Sequence, residues 1–206
     1  HSRPSLTAQG EGVVHEDIPS PVRRRGIGRL LGWSQHPGIL LAMMGQTFIN
    51  MLGVGIIGPV LPLYARSFGV SATLVGLLVS SFGLARLPIN VPAGSLTERI
   101  GRRPLLIFGP LLIASSAMLN GVATSFGQLV AFRLLQGIGS AFQVTASMVV
   151  VADISTPRDR GRTMSSYQGA LLLGTSVGPI IGGLLGEQFG YRAPFFVYGG
   201  LALCAA

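Results

Sequence analysis

Between Gly38 and Ala65 the chain carries no charged residue, and that run constrains the fold more than any other feature. At about 1.5 Å of helical rise per residue it is long enough to cross the roughly 30 Å hydrocarbon core of a bilayer with some tilt. Further apolar runs follow at about Ser71–Leu96, Leu105–Ala123, Phe126–Val151 and Ser165–Leu185, and another opens near Ala193. By Ala206 this last run has risen only about 20 Å, so the spacing predicts a sixth helix that stops in mid-membrane. Composition agrees. Hydrophobic residues make up 49% and charged residues 11%, less than half the roughly 25% of soluble domains. The 30 glycines show no period, and small residues suit membrane helices whose backbones approach closely. The expected class is all-α and polytopic, with a polar arm over residues 1–37 and a transmembrane domain over residues 38–206.

The net charge of +8 raises nucleic acid as a partner, but the distribution argues against it. Every basic residue is Arg, and most sit in short clusters between the apolar runs, the pattern that marks cytoplasmic loops of membrane proteins. The connections Glu98–Arg103 and Asp153–Arg162 are Arg-rich, while the turn around Thr124, Ser125 and Gly127 is uncharged. The amino terminus is therefore expected inside and the odd-numbered connections outside, with Arg66 and Arg192 as exceptions. The arm carries Pro4, Pro19 and Pro21 and is expected to be disordered and cytoplasmic. Its Arg23, Arg24, Arg25 and Arg29, followed by Trp33, are either a solvated orienting flank or a patch lying on an anionic leaflet. His1, His15 and His36 all precede the first span and Cys204 is the single cysteine, so a histidine relay, a metal cluster or Ser-His-Asp catalysis is not expected in the membrane.

An offset of about ninety residues brings out an internal repeat. Gly94, Leu96, Glu98, Gly101 and Arg103 align with Gly183, Leu185, Glu187, Gly190 and Arg192. The two copies close the second and fifth helices, on opposite membrane faces in the expected topology, as inverted three-helix repeats require.

Three motifs carry a family resemblance across the chain after Pro37. GSLTERIGRRP resembles the signature loop of the major facilitator superfamily, matching it at Gly94, Leu96, Arg99, Gly101, Arg102 and Arg103, with Glu98 where the family usually has Asp. LVAFRLLQGIGSA is similar to the family's fourth-helix pattern, with Arg133, Gln136, Gly137 and Gly139. GTSVGPIIGG looks like the fifth-helix motif of the antiporter branch, through Gly174, Gly178, Pro179, Gly182 and Gly183. The resemblance implies the amino-terminal six-helix half of a major facilitator fold, a 3+3 inverted repeat with its sixth helix truncated and a carboxy-terminal six-helix half missing. It implies that Glu98 docks on a helix terminus of that other half, where a dipole stabilises a carboxylate.

The remaining candidates follow from cost. Arg133 and Arg86 lie within apolar spans, where an ionised guanidinium must pair, meet water or snorkel. By resemblance Arg133 takes part in proton coupling or substrate binding; otherwise it is a snorkelling anchor. Gln46 and Asn50 share one helical face, and with Gln143 they are either substrate contacts or interhelical hydrogen-bond glue. The glycines of the fifth helix are either antiporter machinery or a packing stripe.

No carboxylate lies within the spans, so proton coupling needs an acid from the missing half or a loop acid such as Glu98 or Asp153. The activity implied is secondary transport of small organic solutes, with efflux by proton antiport preferred over nutrient symport or uniport. A membrane receptor or enzyme scaffold is the distant rival. The expected partners are the lipid bilayer, a small-molecule substrate and the missing half, with no nucleic acid. The expected location is the plasma (inner) membrane. No cofactor is expected, only a proton gradient as energy source.

Overall fold

The computed structural model describes residues 36–206; residues 1–35 of the expected arm, including the cluster at Arg23–Arg29, lie outside the described residues, and its last residue, Pro37, begins the first helix. Six helices follow in order: α1 (Pro37–Arg66), α2 (Ala72–Ile100), α3 (Arg102–Gly121), α4 (Phe126–Asp153), α5 (Arg160–Phe189) and α6 (Ala193–Cys204). The first five are 20 to 30 residues long and apolar enough to cross a membrane, and the described part of α6 covers 12 residues. Large apolar side chains stand on the outside, among them Val91, Leu87, Phe108, Phe189 and Ile180. Such a surface is stable against lipid, where helices satisfy their own backbone groups.

Several helices run past their apolar limits. α2 continues through Glu98 and Arg99 to Ile100, and α5 begins at Arg160 rather than near Ser165 and reaches Phe189. Hydropathy marks where a helix leaves the hydrocarbon. It does not mark where its hydrogen bonds stop, and Glu and Arg are good helix formers. The expected signature loop is thus almost absent: Gly94, Glu98 and Arg99 lie on α2, and Arg102 and Arg103 begin α3. Only Gly101 breaks the path, at φ 87° and ψ 171°. Gly190 ends α5 at φ 82° and ψ 170°. Both are left-handed-side conformations that glycine alone adopts without strain. The two repeat copies therefore share a backbone conformation as well as a residue pattern.

The packing obeys the same repeat. Exchange of α1–α3 for α4–α6 maps the α1–α5 contact onto α2–α4 and the α3–α4 contact onto α1–α6, while α3–α6 maps onto itself; these five pairs form the body of the fold. Glycines bring the backbones together. A methyl group on Gly178 of α5 would lie 2.5 Å from Gly55 Cα of α1, and one on Gly174 would lie 2.6 Å from the Phe48 carbonyl oxygen. In the mate contact, a methyl on Gly137 of α4 would lie 2.5 Å from the Phe82 carbonyl oxygen of α2. Gly109 of α3 and Gly139 of α4 face each other in the same way. Without a hydrophobic drive between helices in lipid, such close van der Waals packing holds the bundle together.

An apolar core formed by Ile57, Leu61, Tyr64, Leu78, Ile113, Leu129 and Phe195 fills one end of the bundle. A smaller group of Leu40, Val151 and Tyr167 lies elsewhere. On the face that carries both Arg-rich connections, Arg102 at the start of α3 pairs with Asp153 at the end of α4. The partners are 44% and 45% exposed, so solvent screening limits the pair to about 1 kcal/mol at most.

Candidate functional site

The centre of the bundle is polar. On α1, Asn50 is buried and its Nδ2 donates to Gln143 Oε1 of α4 at 2.5 Å. The Tyr198 hydroxyl of α6 donates to Asn50 Oδ1 at 2.6 Å. Gln143 Nε2 donates in turn to the Gln46 carbonyl oxygen at 3.4 Å. Gln46 Nε2 reaches the carbonyl oxygens of Leu106 at 3.2 Å and Ala205 at 3.0 Å. This chain of amides ties α1, α3, α4 and α6 together. Beside it the Thr47 hydroxyl donates to the Tyr167 hydroxyl of α5 at 3.1 Å. Interhelical hydrogen bonds of this kind are worth roughly 0.6 to 2 kcal/mol each in membranes.

Gly53 gives Tyr198 its place: a methyl on that glycine would overlap the tyrosine ring. The α1–α6 contact is therefore built around one aromatic ring, and its hydroxyl ends in the amide network. Tyr198 lies in an otherwise apolar helix, where its sequence signal is that of an ordinary membrane tyrosine. Neither it nor Thr47, Tyr167 or Phe82 stands out from the sequence.

A second group lies between α2 and α4. Arg133 is 4% exposed and its Nη1 donates to Gln136 Oε1 at 2.7 Å, one helical turn on. Its guanidinium carbon lies 5.3 Å from the centre of the Phe82 ring. Arg86, half-buried on α2, lies 5.7 Å from the centre of the same ring. Arg133 Nε and Gln136 Nε2 have no hydrogen-bond partner among the described residues. The close α2–α4 approach at Gly137 is what brings Phe82 up to Arg133.

The structure thus places Gln46, Asn50 and Gln143 in one buried network and Arg133, Gln136 and Arg86 in a second group around Phe82. It keeps the other candidates apart. Gly94, Glu98, Arg99, Gly101, Arg102 and Arg103 lie at the far end of α2 and the start of α3. Gly174, Gly178 and Gly182 sit in the α1–α5 seam, while Pro179 and Gly183 are exposed, with nothing within 4 Å of a methyl placed on Gly183. The four acids among the described residues, Glu98, Asp153, Asp159 and Glu187, all lie at or near helix ends.

Comparison with known proteins gives this architecture a family. The model for the Major Facilitator Superfamily matches residues 43–206. A multidrug resistance protein of Bacillus subtilis, its protein 2, is 33% identical over 173 residues, covering 84% of this chain and 43% of that protein. An uncharacterized MFS-type transporter of Methanocaldococcus jannaschii is 35% identical over 161 residues, covering 78% of this chain and 42% of the relative. The chain therefore spans less than half the length of these curated relatives. Among solved structures, an inward-facing bacterial homologue of the human lysosomal transporter Spinster superposes with a TM-score of 0.72 at 21% identity, over 81% of this chain and 41% of its own. That likeness speaks to the fold, and the match across nearly all described residues speaks to descent: the chain belongs to the major facilitator superfamily, a family of transporters rather than enzymes, and is built as one six-helix half of that fold.

Proposed function

We propose that the full-length protein exports small organic solutes through the plasma (inner) membrane in exchange for protons, by rocking this half against a second six-helix half around a central site. The observation that carries the reading is the α1–α5 seam. Three glycines of the antiporter-like motif, Gly174, Gly178 and Gly182, bring α5 onto the backbone of α1 along its length. A pair joined this closely moves as a rigid unit, which rocking requires. The multidrug resistance name of the Bacillus subtilis relative supports efflux over uptake. Its energy source is the proton gradient, with the titrating carboxylate supplied by the second half, since the acids described here lie at helix ends.

Cells expressing the full-length protein should accumulate less of a lipophilic fluorescent dye, and a protonophore should abolish the difference. Equal accumulation with and without the protein removes export. A difference that survives the protonophore removes proton coupling but leaves export standing.

The same reading puts the amino terminus in the cytoplasm, from Arg158, Arg160 and Arg162 where the chain enters α5 and from the uncharged turn at the opposite end of α4. Ser125, exposed in that turn, tests it. A Ser125→Cys variant with Cys204 replaced by serine should react with a membrane-impermeant maleimide added outside intact cells. Reaction only after permeabilisation inverts the topology.

A further inference from the structure

Pro110 interrupts α3 near its middle. Proline has no N–H, so the carbonyl oxygen one turn back, that of Leu106, loses its helical hydrogen bond, and the ring crowds that carbonyl aside. Gly109, directly before the proline, is a second weak helix former. A helix bends most readily at such a place. Six prolines inside helices, Pro59, Pro62, Pro88, Pro92, Pro110 and Pro179, free a carbonyl in this way. Among the described residues only the Leu106 oxygen receives a side-chain donor, Gln46 Nε2 of α1 at 3.2 Å. The orientation of that amide is fixed by its surroundings. Its Nε2 also reaches the Ala205 carbonyl oxygen at 3.0 Å, while its Oε1 is buried and accepts nothing among the described residues. Turning the amide over would set Oε1 against two carbonyl oxygens, so the donor side stays on Leu106. The break also lies where the bundle is tight: Pro110 is buried, and a methyl placed on Gly109 would lie 2.9 Å from the Gly139 carbonyl oxygen of α4.

We propose that Gly109 and Pro110 form a hinge in α3 and that Gln46 is its latch. With the bond to Leu106 made, the stretch from Arg102 to Gly109 is tied to α1. With it broken, that stretch is free to swing about the proline, and the close contact of Gly109 with α4 gives the pivot. The swinging stretch follows directly on the Gly101 turn and carries Arg102, the partner of Asp153 on α4. Gln46 thereby links the buried amide network to the connection between α2 and α3. An amide held on a backbone carbonyl is not offered to a solute, so of the two roles open to Gln46 the interhelical bond is the one it fills. The latch belongs to the fold of this half and stands whatever the full-length protein carries, and in whichever direction.

The test is hydrogen–deuterium exchange of the purified full-length protein, read by mass spectrometry on peptides of α3 and α5. In Gln46→Leu the amides from Leu106 to Ala114 should exchange roughly threefold to tenfold faster, the effect of losing one hydrogen bond. Those of α5, which holds no partner of Gln46, should keep their rates. Adding Pro110→Ala gives Leu106 a helical N–H again and should return α3 to the parental rates. If Gln46→Leu is too unstable to purify, the double variant should still fold, because it no longer needs the latch. Unchanged exchange in Gln46→Leu overturns the proposal, and so does an equal rise in α5, the mark of general loosening. A double variant that exchanges as fast as Gln46→Leu, or fails to fold, overturns it as well: the contact with Ala205 or plain packing would then be what Gln46 supplies.

Discussion

Replacing Arg133 with alanine in the full-length protein is expected to lower transport on the order of a hundredfold, the effect of losing one or two charge-assisted hydrogen bonds in a required state. Insertion and folding should survive. The reason lies in the opposing costs at this position. Arg133 enters α4 seven residues after Phe126, about 10 Å below the helix start, and helical side chains point back toward that end. A snorkelling anchor would use this geometry to reach water. Here the side chain is buried instead, over Phe82 and against Gln136.

Removing a buried charge relieves its own desolvation penalty, typically several kcal/mol. Leaving Gln136 Oε1 unpaired costs about 1 to 3 kcal/mol. The two nearly cancel or favour the variant, so lost stability cannot explain lost transport. Arg133→Lys separates charge from shape, since an ammonium keeps the charge without the planar fork. Solute flux in proteoliposomes, read beside the melting temperature, checks both halves of the expectation. Unchanged flux in Arg133→Ala would remove Arg133 from the mechanism, and a fall in melting temperature matching the fall in flux would make its role structural.

How far this site could be read from the sequence depends on the range of the interaction. The spans were legible because hydropathy is local, and the repeat because Gly101 and Gly190 stand in the same pattern of neighbours. Their matching dihedrals, φ 87° and 82°, give that pattern a physical meaning: Gly101 alone turns α2 into α3, and Gly190 ends α5 and opens the short turn into α6. Helix ends were less legible, since Glu98 and Arg99 are polar but continue α2. The polar network was hidden. Tyr198 and Asn50 are 148 residues apart, and Asn50 and Gln143 are 93 apart. No periodicity connects such pairs. Phe82 was invisible for another reason, as its importance comes from Gly137 letting α2 approach α4. Arg86 and Arg133 could be picked out singly by their cost, but their common ring could not.

The glycines of α5 allow a sharper separation of packing from mechanism. Gly182→Ala is expected to destabilise the full-length protein strongly, and Gly182→Leu to leave little folded protein, because a methyl at this position overlaps the Ile56 carbonyl of α1. That neighbour is backbone, so relief requires moving α1 itself. Overpacking in a well-packed interior costs about 1 to 3 kcal/mol or more, while replacing a helical glycine with alanine returns up to about 1 kcal/mol of propensity. At Gly182 the clash wins.

Gly183, the next residue, has open space around it, so there the propensity gain wins and Gly183→Ala should be as stable as the parent or slightly more so. Melting temperature and the yield of monodisperse protein decide the matter, and a Gly182→Ala variant as stable as the parent would show that the seam is looser than drawn. The contrast also divides the antiporter-like motif. Gly174, Gly178 and Gly182, four residues apart, fall on one face and hold α1. Pro179, though exposed, still abuts the seam, its Cδ 3.1 Å from a methyl placed on Gly55, whereas Gly183 on the neighbouring face packs against nothing. If Gly183→Ala is stable yet transports more slowly, that second face acts in the conformational change itself, and the motif combines a static seam with a moving one.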